Sequence, residues 1–260
     1  MPAQIENTSE EQVEGQLEKL RRLEFEAVRS LFKPGLRVLD VGGGNGYQAR
    51  LMAEQGCEVT SIDLPGAPLL GTHFPVQEYD GKHIPADDAS FDLIFSSNVL
   101  EHVSPLSPLL EEMWRTLKPG GLAIHVVPSA VWRFWTSLAT YPYIVRTVAG
   151  ITPGFPSMAE VSDVKKAAGK LGALNMVKRG ICLPFEAHGE YHDAAVELYT
   201  FSRSGWRKTF SSDGFAPRFR GSRLFYTGFA LFPNMPIPLR RVLARCLGSS
   251  SHVVILRKAN

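Results

Sequence analysis

The sequence predicts an α/β protein built on a doubly wound, mostly parallel sheet. Three observations carry that expectation. Short apolar runs alternate with helical segments from residue 35 to residue 128. The first run, Val38 to Val41, passes straight into glycines and then into a helix. The runs FDLIFSSNVL (91–100) and LAIHVVP (122–128) are near-continuously apolar, as strands covered on both faces are.

Each element can be justified in order. Residues 8–32 read as an amphipathic helix: Thr8 and Glu11 form a capping box, and Leu17, Leu20, Leu23, Val28 and Leu31 recur about one turn apart. Pro34-Gly35 ends it. After the strand at 38–41 and its glycines, YQARLMAEQG forms a helix closed by Gly56, and CEVTSIDL is a second strand ending at Asp63. So short a strand–turn–helix–strand unit joins parallel strands by a crossover helix. A strand over 91–100 and a helix over 105–117 follow, the helix stopped by Lys118-Pro119-Gly120-Gly121, and then comes the strand 122–128.

Residues 129–200 break the rhythm. They are rich in Trp, Tyr, Pro and Gly, with a helix-like polar stretch near 159–171, and read as an insertion at the C-terminal edge of the sheet. The alternation resumes with a helix over 201–215, strand-like residues 216–228 and a closing strand 252–258. Residues 229–250 form a second, smaller insertion. No internal repeat is visible.

Composition sets the outer bounds. The 260 residues are 44% hydrophobic and 21% charged with a net charge of +2, which excludes disordered, collagen-like and low-complexity chains. Cys57, Cys182 and Cys246 lie far apart with no CxxC pair, which argues against a disulfide scaffold or zinc module and fits a reducing compartment. The first twenty residues are polar and acidic, so no signal peptide is expected. The longest uncharged run, Leu224 to Leu239, has 16 residues and three prolines, short of the roughly 20 that a spanning helix needs. A cytoplasmic location follows as the expectation.

Charge is distributed unevenly. Residues 201–260 hold 11 Lys and Arg against one acid, Asp213, while residues 1–200 hold 17 against 25. A basic C-terminal quarter is either a solvated face or a surface for phosphorylated substrates, anionic lipid or nucleic acid.

The chemistry centres on Asp40-Val-Gly42-Gly-Gly44-Asn-Gly46. Glycines let the backbone turn sharply and let a ligand approach the N-terminus of the following helix. Alone the signal is weak, because Gly44-x-Gly46-x-x-Ala49 also fits a dinucleotide fingerprint. Asp63, 17 residues beyond Gly46 at the end of the second strand, can accept hydrogen bonds from both hydroxyls of a ribose. NAD and any other adenosine-bearing cofactor satisfy both features.

The combination is more specific. Asp40–Gly46, Asp63, Tyr79-Asp80-Gly81-Lys82-His83-Ile84-Pro85, Ser90-Phe91-Asp92 through Val99-Leu100-Glu101-His102-Val103, and Leu117-Lys118-Pro119-Gly120-Gly121 together resemble the class I S-adenosylmethionine-dependent methyltransferases, especially the small-molecule group with an SFD…VLEHV segment. The likeness is strong over residues 35–128 and rests on element order alone over 201–258. It implies a Rossmann-like sheet of seven strands with a lid insertion after the fifth. It also implies an N-terminal helical segment (1–34), a cofactor-binding core (35–128), a substrate-binding lid (129–200) and a completion of the sheet carrying the basic region (201–260).

What the resemblance implies for residues is specific. Asp40, Gly42, Gly44 and Gly46 would lie under the methionine moiety of S-adenosylmethionine, and Asp63 would hold its ribose. Leu64 would pack on the adenine, with Asp80 at the adenine amino group and Gly81 beside it, and Ser97 and Asn98 would line the cofactor. The alternative for Asp40 is that it only orients loop amides, and the Leu-Glu-His segment often structures its loop, which leaves His102 as a candidate for direct chemistry rather than an assignment.

An oxygen nucleophile usually needs its proton removed by a base or a metal. No HxH, HExxH or acidic cluster has convincing metal spacing, so no metal is expected. His188, Glu190 and His192 form the densest set of candidate bases, and in a strand their alternate spacing would point them to one face. Their alternative is an exposed polar loop. His125, in mid-strand, reads as a core residue. In the insertion, Trp132, Trp135 and Tyr141 offer an apolar wall or else form the insertion's own small core, and Arg133 can bind phosphate or carboxylate.

The pattern of His188-Gly-Glu190 followed by ELYTFS also resembles methyltransferases of bacterial surface-polysaccharide and secondary-metabolite synthesis. The expected reaction is O-methylation of a sugar or other small hydroxylated metabolite, free or presented on a lipid or nucleotide. Peripheral membrane contact through the basic C-terminal region belongs to that expectation. N-methylation of a metabolite, an RNA methyltransferase, a nicotinamide oxidoreductase and a non-catalytic cofactor-binding partner subunit stay open. Nucleic acid is the less expected partner, because no RNA-binding module accompanies the basic tail.

Overall fold

The structure is a computed structural model that describes residues 15, 17–67, 70–148, 188, 194–212, 216–228 and 235–259. One sheet gathers the seven strands found among them: β1 (Arg37–Val41), β2 (Glu58–Asp63), β3 (Gln77–Glu78), β4 (Phe91–Ser97), β5 (Leu117–Pro128), β6 (Arg218–Gly221) and β7 (Ser251–Arg257). Their spatial order is β3-β2-β1-β4-β5-β7-β6. The pairs β1–β2, β1–β4, β2–β3 and β4–β5 are parallel, and β6–β7 is antiparallel. The doubly wound, mostly parallel, seven-stranded sheet expected from the sequence is therefore present. Strand order reverses between β1 and β4, so the C-terminal ends of β1 and β4 flank the crevice where open α/β sheets bind ligands.

The helices are α1 (residues 17–26), α2 (Tyr47–Glu54), α3 (Ser107–Thr116), α4 (Ala130–Val148), α5 (Ala194–Thr200), α6 (Arg203–Ser212) and α7 (Ile237–Leu247). Phe25, Val28 and Phe32 from the N-terminal segment pack with Val38, Leu93, Phe95, Ile124, Val126 and Val253 into one buried cluster. Burying side chains of this size contributes about 1.5–3 kcal/mol each.

The described residues fall into two compact units. A core unit comprises Glu18–Val127, Gly205–Ser222 and His252–Asn260, and an insertion unit comprises Met1–Leu17, Pro128–Ser204 and Arg223–Ser251.

Several local expectations need correction. The buried face of α1 is Glu24 and Phe25, followed by Val28, while Leu17 is exposed and Leu20 and Leu23 are half-buried. The leucine stripe thus marks the helix but not the side that enters the core. The helix ends before Lys118-Pro119-Gly120-Gly121 as expected, but that segment is an irregular stretch of β5 in which Gly120 N–H and Gly121 C=O pair with the backbone of Lys258. Of residues 216–228 only Arg218–Gly221 is strand. The two-residue β3 was not foreseen, and neither was α4, which runs through Pro142. The expected capping box at Thr8 and helix near 159–171 lie outside the described residues.

Candidate cofactor site

Strand β1 ends at Val41, and the chain then turns through Gly42, Gly44 and Gly46 at φ 78°, 54° and 79°. Side chains strain that region of backbone space. The surroundings of the three glycines differ. A Cβ on Gly42 would come within 2.2 Å of Val99 Cγ2, and one on Gly46 within 2.5 Å of the Phe74 carbonyl oxygen, whereas one on Gly44 would meet nothing within 4 Å. The loop is packed on two sides and open at Gly44. That opening adjoins the N-terminus of α2, an end of the helix that favours a polar or anionic ligand.

The Asp63 carboxylate is fixed by the same loop. Gly44 N–H donates to its Oδ2 at 2.7 Å, and Leu64 N–H donates to its Oδ1 at 2.7 Å. Each oxygen keeps acceptor capacity for a further donor. Next to it, Leu64 is 51% exposed and is the one large apolar side chain of the core unit that stands exposed among the described residues. Gly81, at φ 75°, makes room for it: a Cβ there would lie 2.8 Å from Leu64 Cδ2. Asp80 accepts N–H bonds from His83 and Lys82 at 2.7 and 2.8 Å and faces the His83 ring at 3.0 Å. These bonds hold its carboxyl well below the usual carboxylate range. In this geometry Asp80 builds its own turn.

Asp40 lies beneath the loop. It is buried and accepts a hydrogen bond from Ser61 Oγ at 2.8 Å. Burial pushes its pKa up to about 7; the Ser61 hydroxyl pulls it back and the neighbouring Asp63 charge pushes it further up. A Cβ on Gly43 would sit 1.9 Å from Ser61 Oγ and 3.1 Å from Asp40 Oδ2, so the loop backbone rests directly on this pair.

Ser97 and Asn98 close the other side of the crevice. Asn98 has φ 55°, and its N–H donates to Val126 C=O at 2.8 Å. Ser97 Oγ donates to Glu24 Oε2 at 3.2 Å, and Asn98 Nδ2 lies 3.2 and 3.3 Å from the two Glu24 oxygens. Glu24 is wholly buried and paired with Arg21 at 2.8 Å. Sequence reading missed both residues, because partners more than seventy positions apart leave no local signal. Glu101 follows on the same loop, buried, with burial pushing its pKa up to about 8. The His102 side chain is 46% exposed, its Nε2 4.0 Å from Glu101 Oε1.

The candidates in the insertion unit divide differently. Trp132 and Arg133 are interior residues: Arg133 Nε lies 3.0 Å from Glu197 Oε2 with both side chains buried, and Trp132 packs against the rings of Phe201 and His188. Trp135 is half-buried, edge-on to Phe134 and Phe225. His188 is exposed and its backbone N–H donates to Glu197 Oε1. Glu190, His192 and the Tyr141 side chain lie outside the described residues, so the expected alignment of His188, Glu190 and His192 has no geometry to report. His125 is buried, its Nδ1 2.8 Å from Ser96 Oγ and its ring stacked on Phe210. Burial drives its pKa down to about 3.

The stretch that carries most of these residues is similar to known proteins. A family model described as a methyltransferase domain matches residues 39–125. The chain is 35% identical over 96 residues to malonyl-[acyl-carrier protein] O-methyltransferase from Serratia marcescens, covering 35% of this chain and 38% of that protein. It is 30% identical over 154 residues to the ubiquinone/menaquinone biosynthesis C-methyltransferase of Cupriavidus metallidurans, covering 52% and 63%. The chain thus spans 38% and 63% of the lengths of these two relatives. An S-adenosylmethionine-dependent methyltransferase from Mesorhizobium loti superposes with a TM-score of 0.52 at 17% identity, over 91% of this chain and 98% of that one, and shares the fold. Residues 39–125 are a methyltransferase domain, set in the fold of the class I S-adenosylmethionine-dependent methyltransferases.

Proposed function

We propose that this chain transfers a methyl group from S-adenosylmethionine to a small-molecule acceptor, most specifically to a hydroxyl oxygen of a sugar or similar metabolite. The observation that carries the proposal is the bond from Gly44 N–H to Asp63: one glycine is open to a ligand and at the same time orients the acid expected at the ribose. Gly42, Gly44 and Gly46 would hold the methionine portion, Asp63 the ribose, and Leu64 with Gly81 the adenine face. Asp80 would act at the adenine edge, and Ser97 and Asn98 would close the opposite side. Asp40 supports the loop from below. When bound, the cofactor supplies an electrophilic methyl group on a sulfonium, so holding the acceptor in line is the main demand on the protein.

The protein's own proton chemistry narrows the base. Glu101 keeps its proton at neutral pH and is not a ready acceptor. His102, partly exposed beside it, is the base we assign within the core unit. His188, Glu190 and His192 are the alternatives in the insertion unit. An N-methylated acceptor would need no base of this kind and would leave all four dispensable.

The insertion unit also supports an acceptor met at a membrane surface. Helix α7 exposes Ile237, Leu239, Val242 and Leu247 beside Arg241 and Arg245, and residues 223–251 of that unit hold four basic side chains and no acid. Apolar side chains flanked by arginines suit an anionic lipid interface, where each basic residue adds about 1 kcal/mol. No helix among the described residues is long and apolar enough to cross the membrane.

The test is transfer of labelled methyl from S-adenosylmethionine into a source-cell extract split into organic, aqueous, protein and RNA fractions. Label in the organic or aqueous small-molecule fraction is expected; label confined to RNA or protein overturns the acceptor class. Binding of S-adenosylhomocysteine that NADH cannot displace separates the proposal from an oxidoreductase.

A further inference from the structure

Helix α1 does more in the core unit than cover apolar surface. Its docking is already provided by Phe25 and, just beyond it, Val28 and Phe32, yet the helix also buries a carboxylate completely. Burying Glu24 is costly unless hydrogen bonds and a cation replace its water, and an apolar residue of similar size would dock more readily. The replacements present are Arg21 on one side and Ser97 and Asn98 on the other. Asn98 is one of only three non-glycine residues with positive φ among the described residues. The next residue, Val99, seats its Cγ2 against Gly42, on the glycine loop. A chain of contacts therefore runs from Glu24 through the Asn98 backbone to Val99 and the loop.

The rest of α1 reaches the same neighbourhood. Glu18 Oε1 lies 2.6 Å from His73 Nε2, and the Gly71 and His73 N–H groups donate to the carbonyls of Gly44 and Asn45. Gln48 Nε2, in the first turn of α2, donates to Arg21 C=O at 3.0 Å. Three segments around the glycine loop are each fastened to one face of α1.

We propose that Glu24 is a positioning residue: by holding Asn98 in its left-handed conformation, it pre-sets the loop after β4 for cofactor binding. This rests on the reading of the glycine loop and the β4 end as the cofactor site. If the loop without Glu24 takes the binding conformation about a tenth of the time, apparent affinity falls about tenfold.

The experiment is a double-mutant cycle read by calorimetric titration of S-adenosylhomocysteine into the wild-type chain, Glu24→Gln, Asn98→Gly and the double variant, with a thermal melt of each. Glycine adopts positive φ freely, so it should make Glu24 unnecessary. The expected result is an affinity loss of about tenfold for Glu24→Gln in the otherwise wild-type chain, shrinking to within about twofold when Asn98→Gly is already present. Equal losses in both backgrounds, or none in either, overturn the inference. Asn98→Ala leaves α1 intact and tests the same link from the other side should Glu24→Gln not fold; it is expected to weaken binding as Glu24→Gln does, and wild-type affinity there overturns the inference. A wild-type chain that does not bind S-adenosylhomocysteine overturns the cofactor reading, and this inference with it.

Discussion

The two units treat apolar surface in opposite ways. Of eleven exposed large apolar side chains among the described residues, ten belong to the insertion unit, from Leu17 and Phe134 to Leu247, and one, Leu64, to the core unit. Among its described residues, the core unit leaves no large apolar side chain exposed except at the position expected to meet an adenine ring. Both units bury charge, Glu24 beside Arg21 in one and Arg133 paired to Glu197 in the other, but the insertion unit also leaves its helices apolar outside. Scattered exposed leucines need no explanation, but this concentration in one unit does. Under the proposed function, the contrast would give the core unit the cofactor and the insertion unit the surface on which the acceptor is met.

The harshest way to break this comparison is at the buried ion pair. Arg133→Met leaves the Glu197 carboxylate buried opposite an apolar side chain and should cost about 3–5 kcal/mol of stability. Adding Glu197→Met should restore most of it. Urea unfolding midpoints check both; a single variant as stable as wild type would mean that the pair is not the interior anchor described.

The glycines sharpen the core side. Gly42→Ala and Gly44→Ala both place a side chain at positive φ, at a cost of order 1–3 kcal/mol. Only Gly42→Ala also drives a Cβ into Val99, so it should be the less stable of the two. Gly44→Ala should fold and yet lose cofactor affinity, since its Cβ fills the open side of the loop. Melting curves paired with calorimetry separate these outcomes; equal stabilities would contradict the packing described.

Two buried groups give pH signatures of opposite sign. Glu101 titrates near 8 when folded against 4.5 otherwise, so between those values the folded state holds a proton that the unfolded state has lost. Stability should fall as pH rises through that window, and Glu101→Gln should remove a component of up to a few kcal/mol. His125 titrates near 3 when folded against 6.5 otherwise, so the unfolded state holds the extra proton and stability should fall as pH drops from about 6.5 towards 3. Denaturant midpoints across pH 3 to 8.5 test both, and a profile unchanged by Glu101→Gln contradicts the first.

The smallest effect on stability belongs to α7. Val242→Ser at this exposed site should shift stability by no more than about 0.5 kcal/mol. It should nevertheless reduce binding to phosphatidylglycerol-containing vesicles relative to phosphatidylcholine alone. Vesicle flotation that does not distinguish the two lipids, or the variant from wild type, removes the membrane from the proposal.

How much of this was legible in the sequence follows from distance along the chain. Gly42, Gly44, Gly46 and Asp63 announce themselves because one strand–helix–strand unit fixes their spacing, and the sheet follows from the apolar runs at 91–97 and 122–128. Glu24 does not, since its partner Ser97 lies 73 residues away, and Arg133 was legible as an anion partner but not as the partner of Glu197, 64 residues on. A charged residue on a helix looks solvated until the fold brings Asn98 or Glu197 to it. Lys118–Gly121 stopped the helix as expected, but its place in a strand was hidden for the same reason, since its partner Lys258 lies far along the chain.

The central claim is that the Gly44–Asp63 arrangement is an S-adenosylmethionine site, and the most direct measurement is calorimetric titration of S-adenosylhomocysteine into wild type and Asp63→Ala. Removing a charged acceptor of ribose hydroxyls should weaken binding by roughly 2–4 kcal/mol while the fold, followed by circular dichroism, is retained. Wild-type affinity in a folded Asp63→Ala variant would contradict the account.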